Sequence, residues 1–317
     1  MNKHKVLNEN QFGFRKRHSC EDAILLLTET IRKALDENMK TISCYIDLEK
    51  AFDTVDHKIL LQKCYNYGLR GSIYQILAEF LSNRQQFVEH DNKRSVLEKI
   101  SFGVPQGSVL GPLLFLIYIN DLPDQCKTTK SVLFADDTSI LAKGDNRECI
   151  NNLAEDTKYI DKWFKANKLC VNSEKCKLTS FGRSNFQPPL SVFDSIIQYC
   201  NEYKYLGLWV DSSLNYKTHI ESVCAKLSRS NGLMYRTRHC FSRKTLLMFY
   251  EAYAKPVILY GLLIYGSSNK SYLKKIFMKQ KQIIRTIFHY RKFDTTSKIF
   301  LENNIESVYE LYFSLLI

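Results

Sequence analysis

Residues 131–141 read SVLFADDTSIL, two apolar runs hinged on a pair of adjacent acids, Asp136 and Asp137. The β-branched and apolar residues on either side predict two strands joined by a tight turn. Neighbouring carboxylates in an apolar hairpin repel each other and lose hydration, so the turn makes sense as a place where divalent cations compensate the charge. A second strand-like run at 41–48, TISCYIDL, carries a single acid, Asp47, near its end. If that strand lies beside the hairpin, three carboxylates converge.

The 317 residues are 45% hydrophobic and 13% aromatic, ample for a buried core and, at this length, for two domains. The net charge of +12 is unevenly distributed: residues 1–150 hold 20 Lys/Arg and 20 Asp/Glu, residues 151–317 hold 25 and 13. A basic second half suits contact with a polyanion, nucleic acid before membrane lipid. The ten cysteines include no CxxC pair, which argues against a zinc site or a disulfide framework and for a reducing, intracellular compartment. Residues 1–11 lack the apolar core of a signal peptide, and the longest apolar run, 109–119, is too short to cross a bilayer.

Along the chain, Ser19 and Asp22 read as a helix cap with its third-position acid, and Ala23, Ile24, Leu27, Ile31 and Ala34 follow at helical spacing. Ahead of them QFGFRKR at 11–17 is a short basic patch, equally readable as a solvated helix flank. Asp53 and Asp56 have the spacing of another cap and acid before a helix at 59–67, and Phe52 reads locally as a core residue. A helix is expected at 72–81, then strands at 85–90 and 99–102 around a polar turn at 91–93. GVPQGS at 103–108 is a loop whose glycines permit close approach to a ligand, at the mouth of a buried apolar helix. Further on come an amphipathic helix at 151–167, a strand or turn pair at 168–181 with Lys175 on the surface, and a strand at 203–210 with Leu206 and Trp209 in the core. In a helix from 217 to 238, Ile220, Val223, Cys224, Leu227 and Met234 share one side while Lys226, Arg229 and Arg236 lie opposite. Residues 217–298 hold 17 basic and 3 acidic residues; a break is expected at Pro256, and another basic helix at 270–292.

In order, QFGFRKRHS (11–19), YIDLEKAFDTVDH (45–57), GVPQGSVLGPLLFLIYINDLP (103–123), LFADDTSI (133–140), NSEKCKL (172–178) and YLGLWVDSSLNYKTHI (205–220) resemble the reverse transcriptases of non-LTR, LINE-type retrotransposons, most closely the jockey-like group. The resemblance implies an α+β right-hand polymerase: partial fingers and an antiparallel palm sheet with helices packed on one face over residues 1–212, then a basic all-helical thumb over 213–317. It implies an RNA-directed DNA polymerase that extends a DNA primer on an RNA template with dNTPs. Asp47 and Asp136 would ligate two Mg²⁺ ions, with Mn²⁺ as the alternative, and Asp137 would be a less direct ligand. Phe52 would exclude a ribose 2′-OH, Arg15 and Lys16 would hold the triphosphate, and Gln106 and Gly107 would lie against the incoming nucleotide. Lys175 would protonate the leaving pyrophosphate, although Lys175-Cys176 stands where the family has Lys-Thr. Tyr205, Leu206 and Gly207 would grip the primer end, and Lys226, Arg229 and Arg236 would follow the duplex backbone. The implied setting is a ribonucleoprotein with the element's own RNA, in cytoplasm and nucleus and away from membranes.

The family's fingers reach further upstream, and neither an endonuclease domain nor a Cys-rich knuckle is found, so the expectation is an N-terminally truncated element that does not transpose by itself. The competing reading is a catalytically silent, nucleic-acid-binding remnant. An RNA-dependent RNA polymerase would need a polar group in place of Phe52, and an intron-type maturase would need further RNA-binding segments.

Overall fold

Strand β1 (Lys40–Ile46) buries six of its seven residues. A strand buried at consecutive residues, whichever way their side chains point, is covered on both faces, and β1 occupies such a position. The computed structural model describes residues 6–182 and 186–317; the first five residues, part of the segment read above as lacking a signal peptide, lie outside them. Before β1 runs helix α1 (Cys20–Asp36). After it come α2 (His57–Asn66), α3 (Ser72–Leu81), the short strands β2 (Gln85–Gln86), β3 (Glu89–His90), β4 (Lys93–Arg94) and β5 (Glu98–Lys99), and α4 (Leu110–Ile119). The hairpin β6 (Lys130–Phe134) and β7 (Asp137–Gly144) follows, then α5 (Asn146–Ala166), β8 (Lys177–Phe181) and the small strands β9 (Ser191–Val192) and β10 (Ser195–Ile196). A second hairpin, β11 (Glu202–Tyr205) and β12 (Leu208–Asp211), leads into α6 (Lys217–Thr237), α7 (Arg243–Phe249), α8 (Lys255–Leu259), α9 (Leu262–Tyr265), α10 (Lys270–Phe288), α11 (Ser297–Glu302) and α12 (Val308–Leu316).

The central sheet is antiparallel in the order β6-β7-β1-β8. Helices cover both of its faces rather than the single face expected. Ile42, Cys44 and Ile46 of β1 and Ile140 and Ala142 of β7 share a core with Leu153 and Ile160 of α5 and Phe115 of α4. Thr41, Ser43 and Tyr45, pointing the other way along the pleat, are buried as well, and α1 packs on β1, β6 and β7. Helix α1 begins where expected: Ser19 Oγ accepts from the Asp22 amide, and Asp22 accepts from the Ser19 amide at 2.7 Å. Helix α5 starts five residues before its expected position because Asp145 and Glu148 form the same reciprocal cap.

The chain gathers into two compact units, one ending at Cys200 and the other spanning Asn201–Ile317. The division falls twelve residues before the expected 212/213 boundary, because the β11–β12 hairpin belongs with the helices. The Tyr260 hydroxyl donates to the Leu206 carbonyl, and a Cβ on Gly261 would stand 2.4 Å from Leu208 Cδ1. Tyr205, Leu208 and Val210 supply that hairpin's buried side chains; Leu206, expected in the core, is instead a turn residue with φ +45°, and Trp209 is half-buried. In the second unit α6 packs on α10. The expected break at Pro256 is displaced: Tyr250–Ala254 form one π-helical turn, α8 then carries Pro256 in its first turn, and the chain breaks at Gly261, φ +74°. No helix of the described residues is long and apolar enough to cross a membrane.

Candidate active site

The β6–β7 turn consists of two residues, Ala135 and Asp136, because Phe134 pairs with Asp137. Only the first has positive φ, +53° at Ala135, the sense of a type II′ hairpin turn. The β1–β7 register pairs Ile46 with Thr138, and continuing it by one residue sets Asp47 opposite Asp137. The strand order therefore brings together the three acids singled out in the sequence. Burial pushes the Asp136 carboxyl up, helped by the charge of Asp47. Asp137 is pushed up to about 6 by desolvation, then by Asp136 and Asp47; its side chain still meets solvent, which softens the effect.

Asp47 also has a cationic neighbour. Lys175 Nζ lies 3.6 Å from Asp47 Oδ2, in the turn just before β8. The Asp47 amide faces Cys176 Sγ at 3.5 Å, and its carbonyl accepts from Asn172 at 2.9 Å. Asp47 Oδ2 is buried and accepts no hydrogen bond from the described residues. Among the described residues no three His, Cys, Asp or Glu side chains are placed to hold a metal ion by themselves. The donor chemistry nonetheless fits Mg²⁺ or Mn²⁺: carboxylate oxygens, one of them buried without a hydrogen-bond partner, two of them with raised pKa values that a cation would lower again.

Phe52 sits where the chain leaves β1. Its ring stacks on Phe115 at 4.3 Å between centroids and meets the edge of Phe14 at 6.3 Å. The GVPQG loop is zipped to this segment: Val104 donates to the Phe52 carbonyl, Gly103 to that of Val55, both at 2.8 Å. Gln106 Nε2 donates to Asp53 Oδ1 at 2.9 Å, so Asp53 holds the exposed loop instead of capping a helix. The cap of α2 is Asp56, which accepts from Lys58 and Ile59 and pairs with Lys168 at 2.7 Å. Gly107 is exposed with φ +80°, a conformation that suits glycine.

The QFGFR segment lies against the acidic turn. Phe12 donates to the Leu133 carbonyl at 2.8 Å, Leu133 to that of Asn10 at 2.9 Å, so residues 10–12 run as a short parallel edge along β6. Gln11 Oε1 accepts from the Ala135 amide at 2.9 Å and the Gly13 amide at 2.7 Å. Arg15 is not wholly available to a ligand, since its Nη1 donates to the carbonyls of Asn8 and Gln11 at 2.6 and 2.9 Å; Lys16 is exposed. Gln11, Phe14 and Asp53 are the neighbours that sequence reading missed as site residues. The resemblance motifs contained all three, but nothing local distinguished them from a basic flank or a helix cap.

In the second unit Tyr205 ends β11, and Leu206 and Gly207 form the β11–β12 turn, both with positive φ as a type I′ turn requires. Lys226, Arg229 and Arg236 are exposed on α6, opposite the buried Ile220, Val223, Leu227 and Met234.

The sequence model of the reverse transcriptase (RNA-dependent DNA polymerase) family matches residues 1–210. This chain belongs to that family. Among curated relatives, this chain is 30% identical over 296 residues to the RNA-directed DNA polymerase from mobile element jockey of Drosophila melanogaster, covering 89% of this chain and 32% of that protein. The jockey polymerase of Drosophila funebris matches with the same identity and coverage. The chain thus spans about a third of the length of these jockey-type relatives. A telomerase structure from Candida albicans, solved in complex with a TWJ fragment of telomeric RNA, has a TM-score of 0.53 at 12% identity, over 96% of this chain and 57% of that one. That likeness is one of fold alone.

Proposed function

We propose that this chain is the polymerising segment of a jockey-like, non-LTR retrotransposon protein, which extends a DNA primer along an RNA template from dNTPs. The observation that carries the reading is the β6–β7 turn set against the end of β1, with Asp47, Asp136 and Asp137 as electrostatically coupled neighbours. Asp47 and Asp136 hold two Mg²⁺ ions, with Mn²⁺ as the alternative, and Asp137 supports them. When bound, the ions offset the charge that grows on the attacking and leaving oxygens of nucleotidyl transfer.

The remaining roles belong to the chain's own side chains. Lys175 donates a proton to the leaving pyrophosphate, a role supported by its exposed ammonium beside Asp47. Phe52 excludes a 2′-hydroxyl, and its stacking between Phe115 and Phe14 supports a ring stiff enough to do so. Gln106 and Gly107, steadied by Asp53, lie against the incoming nucleotide. Arg15 and Lys16 steady the triphosphate, Arg15 through the part of its fork beyond Nη1. Tyr205, Leu206 and Gly207 contact the primer, and Lys226, Arg229 and Arg236 contact the phosphate backbone without reading sequence. The natural template is the RNA of the element itself, carried as a ribonucleoprotein through cytoplasm and nucleus.

The test is Mg²⁺-dependent extension of a DNA primer on an RNA template, comparing the chain with Asp136→Asn. Extension by the parent alone, with equal primer–template binding by both, is expected. Extension retained by Asp136→Asn refutes the ion-ligand assignment. Binding without extension by either reduces the chain to a nucleic-acid-binding remnant.

A further inference from the structure

The turn that carries Asp136 is held from outside the sheet. Ala135 is 3% exposed, an L-residue at φ +53° whose amide is enclosed by protein. Such a residue keeps a left-handed conformation only when its surroundings enforce it. Here the enforcing atom is Gln11 Oε1, which accepts from the Ala135 amide at 2.9 Å across 124 residues of chain. Gln11 is itself 2% exposed, and a second hydrogen bond, from the Gly13 amide at 2.7 Å, fixes its own carboxamide. The backbone around Gly13 completes the grip: a Cβ there would stand 2.4 Å from the Ala135 nitrogen and 3.0 Å from the Phe134 carbonyl carbon. Any other residue at position 13 would lift the segment off the turn.

We infer that Gln11, seated by Gly13, is a positioning residue for Asp136: its side-chain oxygen locks the Ala135 amide and thereby sets the direction in which the Asp136 carboxylate leaves the turn. The inference rests on the reading of Asp136 as an ion ligand. Its physical content is a division of labour within one amide. Oε1 accepts two hydrogen bonds, while Nε2 is buried without a hydrogen-bond partner among the described residues, so the acceptor is the working atom. Glutamate at position 11 keeps an acceptor of the same reach; methionine keeps the length and loses it.

The full chain is tested as Gln11→Met, Gln11→Glu and Gly13→Ala, with Asp136→Asn as reference, in three measurements: amide exchange at Ala135, Mn²⁺ affinity by electron paramagnetic resonance without nucleic acid, and the Mg²⁺ dependence of primer extension. Outer-shell partners of ion ligands change affinity or activity by about 10- to 100-fold when removed. Gln11→Met and Gly13→Ala are therefore expected to lose Ala135 protection, weaken Mn²⁺ about tenfold or more, and raise the half-saturating Mg²⁺ while leaving KM for dNTP near the parent's. Gln11→Glu keeps Ala135 protected. A merely structural role would lower the active fraction without moving the half-saturating Mg²⁺. Parent-like Ala135 exchange and Mn²⁺ affinity in Gln11→Met overturn the inference. If the parent extends no primer yet binds Mn²⁺ more tightly than Gln11→Met, the polymerase reading fails and the positioning role stands. If the parent binds Mn²⁺ no better than Asp136→Asn, the ion site and this inference fall together.

Discussion

His219→Phe is expected to stabilise the helical unit against acid, by an amount that follows from the burial of one ring. His219 lies on the inner side of α6, 4% exposed, its ring 5.1 Å from that of Tyr265, and neither ring nitrogen has a hydrogen-bond partner among the described residues. Burial, with the charge of Lys226 adding to it, pushes its pKa down to about 4 from 6.5. A depressed histidine pKa means the unfolded chain binds a proton that the folded chain refuses, so stability is full near pH 7 and is lost as pH falls from 6.5 towards 4. Between pH 7 and pH 4.5 the linkage amounts to about 2 kcal/mol. Phenylalanine keeps the ring against Tyr265 and cannot titrate. The assay is urea unfolding followed by Trp209 fluorescence in a Trp163→Phe background, since the chain has two tryptophans and β12 packs on α6. Carboxylates that protonate at low pH affect parent and variant alike and cancel in the difference. The stability gap between them should widen by about 2 kcal/mol on going from pH 7 to pH 4.5. A gap of constant size would show that packing alone had changed and that the ring is not held neutral by its surroundings.

Phe52→Ala should raise ribonucleotide incorporation relative to dNTP by about tenfold or more, as expected when a steric contact is removed; unchanged sugar discrimination in single-nucleotide extension would return Phe52 to a packing role against Phe115. Replacing Lys226, Arg229 and Arg236 together by Gln should reduce the slope of log affinity against log salt by about 2 to 3, one increment for each lost phosphate contact. A parent-like slope in fluorescence anisotropy would assign this face to another partner. Asp137→Asn should stabilise the ion-free chain at pH 7, because a carboxyl with a raised folded pKa costs stability as pH rises from about 4 through 6. Allowing for its solvent contact, the gain is about 1 kcal/mol, read by thermal melting in chelator, and a lower melting temperature would contradict the sign.

The acidic hairpin and the strand leading to Asp47 were legible because each rests on a local pattern: apolar residues at strand spacing and acids where acids are costly. Asp53 and Asp56 were not separable by the same means. Two acids three apart offer two ways to cap, and tertiary packing chose Asp56, leaving Asp53 to hold Gln106. The start of α5 was missed because its first turn is polar and shows no apolar periodicity, while the π turn at Tyr250–Ala254 comes from one extra residue per turn, which no residue type announces. Gln11 was the least legible of all. Its bond to Ala135 spans 124 residues, and a glutamine next to an arginine-rich stretch gives no sign of where its oxygen ends up.

The position of β1 at the centre of its sheet has a consequence for how the chain is made. Ile46 is its last residue, yet both partners come later, β7 starting at Asp137 and β8 at Lys177. At roughly 5–20 residues per second, a ribosome needs about 5 to 18 s to reach the first of them. During that interval an apolar strand with two unpaired edges is exposed on the nascent chain, the kind of segment that chaperones bind and that crowded messages aggregate through. A chain built on this topology is thus slow to become itself, and its yield in a cell depends on what shields residues 40–46 while the rest is still being translated.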